Sequence, residues 1–275
     1  MQADARAKRD AFLNRIGTKP LIMGILNVTP DSFFDGGRFQ DRRGALSHAR
    51  QMMTAGADII DVGAESTRPD ATPVTEVEEL ARLDPLLPDL AKLDIPLSID
   101  TTKSRVAARA LSLGAVMVND VSGLQKDDRM ADTVADAEAA VVVMPNRREK
   151  DESLDIIADI RRSFDRSLAI AERAGIPKQR IILDVGIGFG KTSRQNRDAI
   201  VRLSELKDYG LPLMIGASRK RFLGKLTGDG SEGTLAGTVA VSLAAIAAGA
   251  DIVRVHDVAE HAAALRVFRE LRVPH

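Results

Sequence analysis

The chain has 275 residues, with 39 Lys and Arg against 39 Asp and Glu. That balance leaves no net charge to attract nucleic acid or an anionic membrane, and 3% aromatics with no Trp excludes an extended base-stacking surface. The absence of Cys excludes disulfides, thiolate metal sites and a Cys nucleophile.

The first 20 residues mix charge with Ala, Leu and Ile, which predicts a short amphipathic helix and no signal peptide. No apolar run is long enough to span a bilayer, so a cytoplasmic protein is expected. Eight short apolar runs bounded by turn residues then read as buried strands: 20–28, 58–64, 96–100, 116–122, 139–144, 180–186, 211–218 and 251–257. Helical patterns lie between them, over about 41–55, 75–92, 103–113, 127–137, 152–174, 194–208, 232–248 and 258–271. Several of these helices close on glycine, at Gly56, Gly114, Gly175 and Gly249, where a left-handed C-cap fits.

Strand–helix alternation repeated eight times, with no linker or break in composition, predicts an α/β fold: a single (β/α)8 TIM barrel spanning 1–275, with its core over about 20–271. A doubly wound open sheet is the competing topology. The segments after the first two strands, 29–40 and 65–75, are longer than connection requires, which marks them as functional loops.

Active sites of such barrels form at the C-terminal ends of the strands. Asn27, Asp61, Asp100, Asn119, Met144, Asp184, Ser218, Arg254 and His256 stand there. Any one Asp or Asn there has a simpler reading as a helix cap. Asp100, Asn119 and Asp184, however, directly follow apolar strand residues, and they suit the N–H-rich edge of a flat heterocycle. Arg254, His256 and Asn27 meet where the last strand joins the first, a place for an anion. SRKRFLGKL is expected to begin a short helix at Ser218 and to point Lys220 inward.

GIGFGKT, 186–192, looks like a phosphate loop but fails both nucleotide templates by one residue: Val185 stands where the P-loop needs Gly, and Lys191 where the dinucleotide fingerprint does. It reads instead as a pocket wall whose working residue is Asp184.

Taken in order, MGILNVTPDSF, GADIIDVGAESTRP, SIDTTK, NDVSG, LDVGIGFGKT, GASRKRFLG and RVHDV resemble the dihydropteroate synthase family over nearly the whole chain. The resemblance implies a homodimeric, Mg2+-using barrel enzyme. It would join 6-hydroxymethyl-7,8-dihydropterin diphosphate to 4-aminobenzoate, releasing pyrophosphate through a carbocation-like substitution. It places the pterin on Asp100, Asn119, Asp184 and Lys220, and the diphosphate on Asn27, Arg254 and His256, with Asn27 also near Mg2+. Thr67 and Arg68 fall in the second long loop. Ser218 matches a contact to the aminobenzoate carboxylate, and Phe33 and Phe189 are placed to sandwich the aromatic amine. Asp61, Met144, Gly216 and Arg219 complete the expected substrate-binding set; Asp100, Lys220, Arg254 and His256 are the expected catalytic residues. Helices 6 to 8 are the expected dimer face.

The chain departs from the family pattern at Pro145 (usually His), Val185 (usually Pro), Ala64 (usually Gly) and Phe34 (commonly Ser). The departures bear on sulfonamide binding and on a second reading, a non-catalytic or altered-specificity relative. A third reading, a pterin-dependent methyltransferase domain, leaves the TPDSF loop and Ser218-Arg-Lys without a purpose.

Overall fold

The computed structural model describes residues 2–28, 38–65, 73–147, 149–227 and 234–271, the side chains of 38–41 and 227 excepted. Phe33, Phe34, Thr67 and Arg68 lie outside these residues.

Eight parallel strands close into a barrel in sequence order. They are β1 (Leu21–Asn27), β2 (Ile59–Gly63), β3 (Leu97–Asp100), β4 (Met117–Asp120), β5 (Ala140–Val143), β6 (Ile181–Asp184), β7 (Leu213–Ile215) and β8 (Ile252–Val255), with β8 pairing back onto β1. The open doubly wound sheet is thereby excluded. The helices, in chain order, are α1 (Ala3–Leu13), α2 (Arg38–Ala55), α3 (Glu76–Leu83), α4 (Leu87–Leu90), α5 (Ser104–Ser112), α6 (Met130–Asp136), α7 (Ile156–Arg173), α8 (Ser193–Val201), α9 (Phe222–Thr227), α10 (Leu235–Ala247) and α11 (Val258–Glu270). No described helix is long and apolar enough to cross a membrane.

Alternation along each strand explains both the core and the site. Ile22, Ile60, Val62, Ile99, Val118, Val141 and Leu183 face the helices and join the large outer core. Met23, Ile59, Met117, Val142, Ile182, Met214 and Ile252 fill the barrel, with Phe12 of α1 packed into the same cluster. The next inward positions up the strands are polar: Asp61 on β2, Asp100 on β3, Asn119 on β4, Asp184 on β6 and Arg254 on β8. The barrel is therefore apolar below and polar at its C-terminal mouth.

Gly56, Gly114, Gly175 and Gly249 all carry positive φ, as their place after a helix requires. Three expectations are corrected. The helix expected over 75–92 is two, α3 and α4, because Pro85 and Pro88 remove N–H groups from its middle. The helix expected over 194–208 ends at Val201 and continues as a 3-10 turn, Leu203–Tyr209, closed by left-handed Gly210. The helix after β7 begins at Phe222 and not at Ser218: Arg219 has a φ of 55°, which no right-handed helix accepts.

Candidate active site

The centre of the barrel mouth is an ion-paired network. Arg254 Nε donates to Asp61 Oδ2 at 2.6 Å, and Arg254 Nη2 donates to Asp100 Oδ2 at 2.7 Å. Asn119 Nδ2 donates to the same Asp61 oxygen at 2.9 Å. The strand register brings these groups together, since Asp100 is the partner of Asn119 and of Gly63. Asp61 is fully buried, and Asp100 and Asn119 are nearly so. Asp61 Oδ1 and Asp100 Oδ1 are buried without a hydrogen-bond partner. Burial, reinforced by the Asp61, Glu79 and Asp120 carboxylates and opposed by Arg254, pushes the Asp100 carboxyl up to about 7.

Asp184 forms the second part. Its Oδ1 accepts from the Gly186 N–H at 2.8 Å, which holds the carboxylate where the strand ends. Burial raises its pKa, against the opposing pull of Lys220. Val185, at the position of the family's proline, is buried in the outer core and leaves that hydrogen bond in place. Gly216 stands between Arg254 and Asp184, with the position of an added Cβ 3.8 Å from each side chain.

The GIGFGKT stretch builds the wall beside Asp184. Gly186, Gly188 and Gly190 all have positive φ, and a Cβ on Gly186 would meet Pro145 O at 2.7 Å and Met144 Cγ at 3.1 Å. Two lysines hold its carbonyls. Lys191 Nζ donates to Gly186 O at 2.8 Å and to Phe189 O at 3.3 Å, while Lys220 Nζ donates to Ile187 O. Lys220 Nζ also lies 4.7 Å from the centre of the Phe189 ring, a cation–π contact. Burial pulls Lys220 down to about 8 and Lys191 down to about 7. Thr192 is an N-cap: it accepts from Gln195 N, and Gln195 returns the bond to the Thr192 N–H.

The rim lies between β7, β8 and β1. Ser218 Oγ is 2.9 Å from His256 Nδ1 and accepts from the His256 N–H at 3.2 Å. Asn27 ends β1 with an exposed side chain. Arg219 turns away, paired with Asp257 and with 56% of its side chain exposed. Ala64 is buried without positive φ, so its methyl brings no backbone strain.

Four side chains that sequence reasoning did not single out lie in the mouth or beside it: Lys191, Lys103, Glu65 and Glu79. Lys191 sits inside the rejected phosphate motif. Lys103, inside SIDTTK, pairs with both Glu65 and the fully buried Glu79. Glu65 also accepts from Val74 N at 3.1 Å, joining the two described ends of the second long loop. Lys191 stands inside a Gly-rich run, a setting that marks it in the sequence; Lys103 follows Asp100-Thr101-Thr102 and carries no such mark.

Among the described residues no group of three His, Cys, Asp or Glu is arranged to hold a metal ion. Asn27 offers one neutral amide oxygen at the rim. Such a donor fits Mg2+ that arrives with phosphate oxygens and keeps waters, and does not fit a closed protein cage.

A model of the pterin binding enzyme family matches residues 23–256. A dihydropteroate synthase of Clostridium beijerinckii is 43% identical over 254 residues, covering 92% of this chain and 94% of that protein. A dihydropteroate synthase of Clostridium difficile, solved in the presence of pteroic acid, superposes with a TM-score of 0.88 at 45% identity, covering 94% of this chain and 98% of the other. One from Xanthomonas albilineans, solved with 4-aminobenzoic acid, superposes at 0.87 with 41% identity over 93% and 94% of the two chains.

Proposed function

The chain belongs to the pterin binding enzyme family as a dihydropteroate synthase, a transferase, and we propose that the network at its barrel mouth carries the reaction. The substrates are a dihydropterin bearing a methylene diphosphate and 4-aminobenzoate. The C–O bond to the diphosphate breaks, and the leaving group takes the electron pair. The arylamine lone pair then forms the C–N bond to the methylene, and a proton is lost from nitrogen.

The observation that carries this reading is the chain of hydrogen bonds at the floor of the mouth, in which Asp61 joins Asn119 to Arg254 and Arg254 joins Asp100, with Asp184 and Lys220 at its side. Carboxylates and an amide oxygen accept the ring N–H and amino groups of a pterin edge, and Lys220 donates to its carbonyl or ring nitrogen. Asp100 stabilises positive charge developing on the methylene, which buried carboxylates do more strongly than exposed ones. Two of the five Arg254 N–H groups are committed to Asp61 and Asp100. The others, with His256, face charge growing on the diphosphate. Asn27 supplies one oxygen to Mg2+, which when bound neutralises the leaving group. Ser218 receives the aminobenzoate carboxylate, and Phe189 stacks on its ring. Phe33, Thr67 and Arg68 keep their sequence-based roles in the two long loops, where exclusion of water protects the cation.

We also infer a homodimer. This rests on the family resemblance, which implies pairing through the side of the barrel formed by α8, α10 and α11.

The test is calorimetric titration with pterin diphosphate. Asp184→Asn, which replaces an acceptor by an amide presenting a donor as well, is expected to weaken binding by roughly tenfold or more. Unchanged affinity would remove Asp184 from the pocket.

A further inference from the structure

Asp61, expected from the sequence to be a substrate contact, is instead fully buried, so no atom of it lines the pocket. Its Oδ2 nevertheless meets two pocket groups at once, Arg254 Nε at 2.6 Å and Asn119 Nδ2 at 2.9 Å. We propose that Asp61 is a positioning residue that dictates which end of the Asn119 carboxamide the pterin meets.

The argument is one of donors and acceptors, and it rests on the reading of Asn119 as a pterin contact. An amide has a donating end and an accepting end that are almost identical in shape. Left alone, Asn119 would offer either end to a ligand. A carboxylate ion-paired to a guanidinium offers only acceptors. Against Asp61, therefore, Asn119 must turn its NH2 group inward to the barrel wall. Its Oδ1 then faces the mouth, where no donor from the described residues meets it. The pocket consequently presents an acceptor at this position, matched to an N–H of the ligand. Asp61 is held in turn from the other side by Arg254, so one buried oxygen orients a neutral and a charged group together. The groups that face this arrangement from neighbouring strands are Asp100 and Ser98 on β3 and Arg254 on β8; Ser98 is the register partner of Asp61, and the apolar side chains of the barrel interior lie below.

Removing the buried acceptor tests this directly. In Asp61→Ala the wall no longer demands a donor, both Asn119 amide orientations become available, and pterin diphosphate is expected to bind roughly tenfold more weakly. The KM for 4-aminobenzoate should stay within about twofold, because a positioning effect at the pterin edge does not reach the rim; a general loss of structure would move both. Asp61→Asn is the conservative control: Arg254 Nε can only donate, so the new amide oxygen takes the place of Oδ2 and still accepts from Asn119, and binding should return to within about threefold of the wild type. Asp61→Ala binding as wild type does, or Asp61→Asn binding no tighter than Asp61→Ala, overturns the proposal. Failure of the wild type itself to bind pterin diphosphate would instead overturn the site reading. If the variants do not fold, the wild type labelled with 15N asparagine answers the same question. The Asn119 NH2 protons should be protected from exchange before and after ligand addition. Protection that appears only with ligand would mean that the NH2 faces the pterin, contrary to the proposal.

Discussion

Arg254 on β8 reaches across the mouth of the barrel to donate to Asp100 on β3, Nη2 to Oδ2, at 2.7 Å. Its Nε is simultaneously bound to Asp61 on β2. One guanidinium thus compensates two buried carboxylates. Arg254→Ala leaves both without a cation, and removing one partner of a buried pair costs about 3–5 kcal/mol. Chemical denaturation should show a loss of that size. A loss below about 1 kcal/mol, as for a surface pair, would contradict the described network.

The pH profile follows from two groups. Asp100, raised to about 7 by burial, must lose its proton to stabilise positive charge, and Lys220, lowered to about 8 by burial, must keep its proton to donate. The profile of kcat/KM for pterin diphosphate should therefore rise through about 7, fall through about 8 and form a narrow bell. These limbs belong to the coupled network and not to isolated residues. Lys220→Arg should push the alkaline limb upward and leave the acid limb where it is. A profile flat from about pH 6 to 9 would be inconsistent with these assignments.

Lys191 makes stability itself pH-dependent. Burial pulls its folded-state pKa down to about 7, while the unfolded chain titrates near 10.4. Below 7 the ammonium is charged in both states and the full cost of burying it is present. Between these values the unfolded state binds more protons, so stability rises with pH. Lys191→Met lacks this rise. The wild type should gain on the order of a few kcal/mol relative to the variant between about pH 6 and 10. Parallel stability curves would show that Lys191 is not buried as described.

Lys103 poses a related case without the mouth. It neutralises Glu79, which is fully buried and has Oε1 without a partner. Lys103→Met should cost about 3 kcal/mol or more, and replacing Glu79 by Leu in that background should recover much of it, because the stranded charge is then gone. Absence of recovery would mean the loss comes from Glu65 and the loop it joins.

The barrel was legible in the sequence because buried parallel strands are short, apolar and bounded by turns, and the inward polar positions follow directly after them. Asp61, Asp100, Asn119, Asp184 and Arg254 were found that way. Their partners were not legible. Which carboxylate Arg254 meets depends on closure of β8 onto β1 and on the stagger between strands, neither of which leaves a local mark. Ser218 was misread as a helix start because the left-handed turn at Arg219 has no residue signature; glycine or asparagine would have announced it. The break between α3 and α4 is written in the sequence as Pro85 and Pro88, which a continuous apolar periodicity outweighs in a reading by pattern alone. Lys191 was read as part of a failed nucleotide motif, yet its ammonium turns back into the loop it follows. The departure at Val185 leaves Asp184 in place, because the Gly186 N–H, a backbone group independent of side-chain identity, holds that carboxylate.

The most direct measurement is a steady-state assay of the purified protein with Mg2+, pterin diphosphate and 4-aminobenzoate, following dihydropteroate and pyrophosphate together. Equal amounts of the two products, formed only when both substrates are present and at a rate on the order of 1 per second or faster, is the predicted result. Pyrophosphate released without 4-aminobenzoate, or pterin diphosphate bound with no product formed, would contradict it.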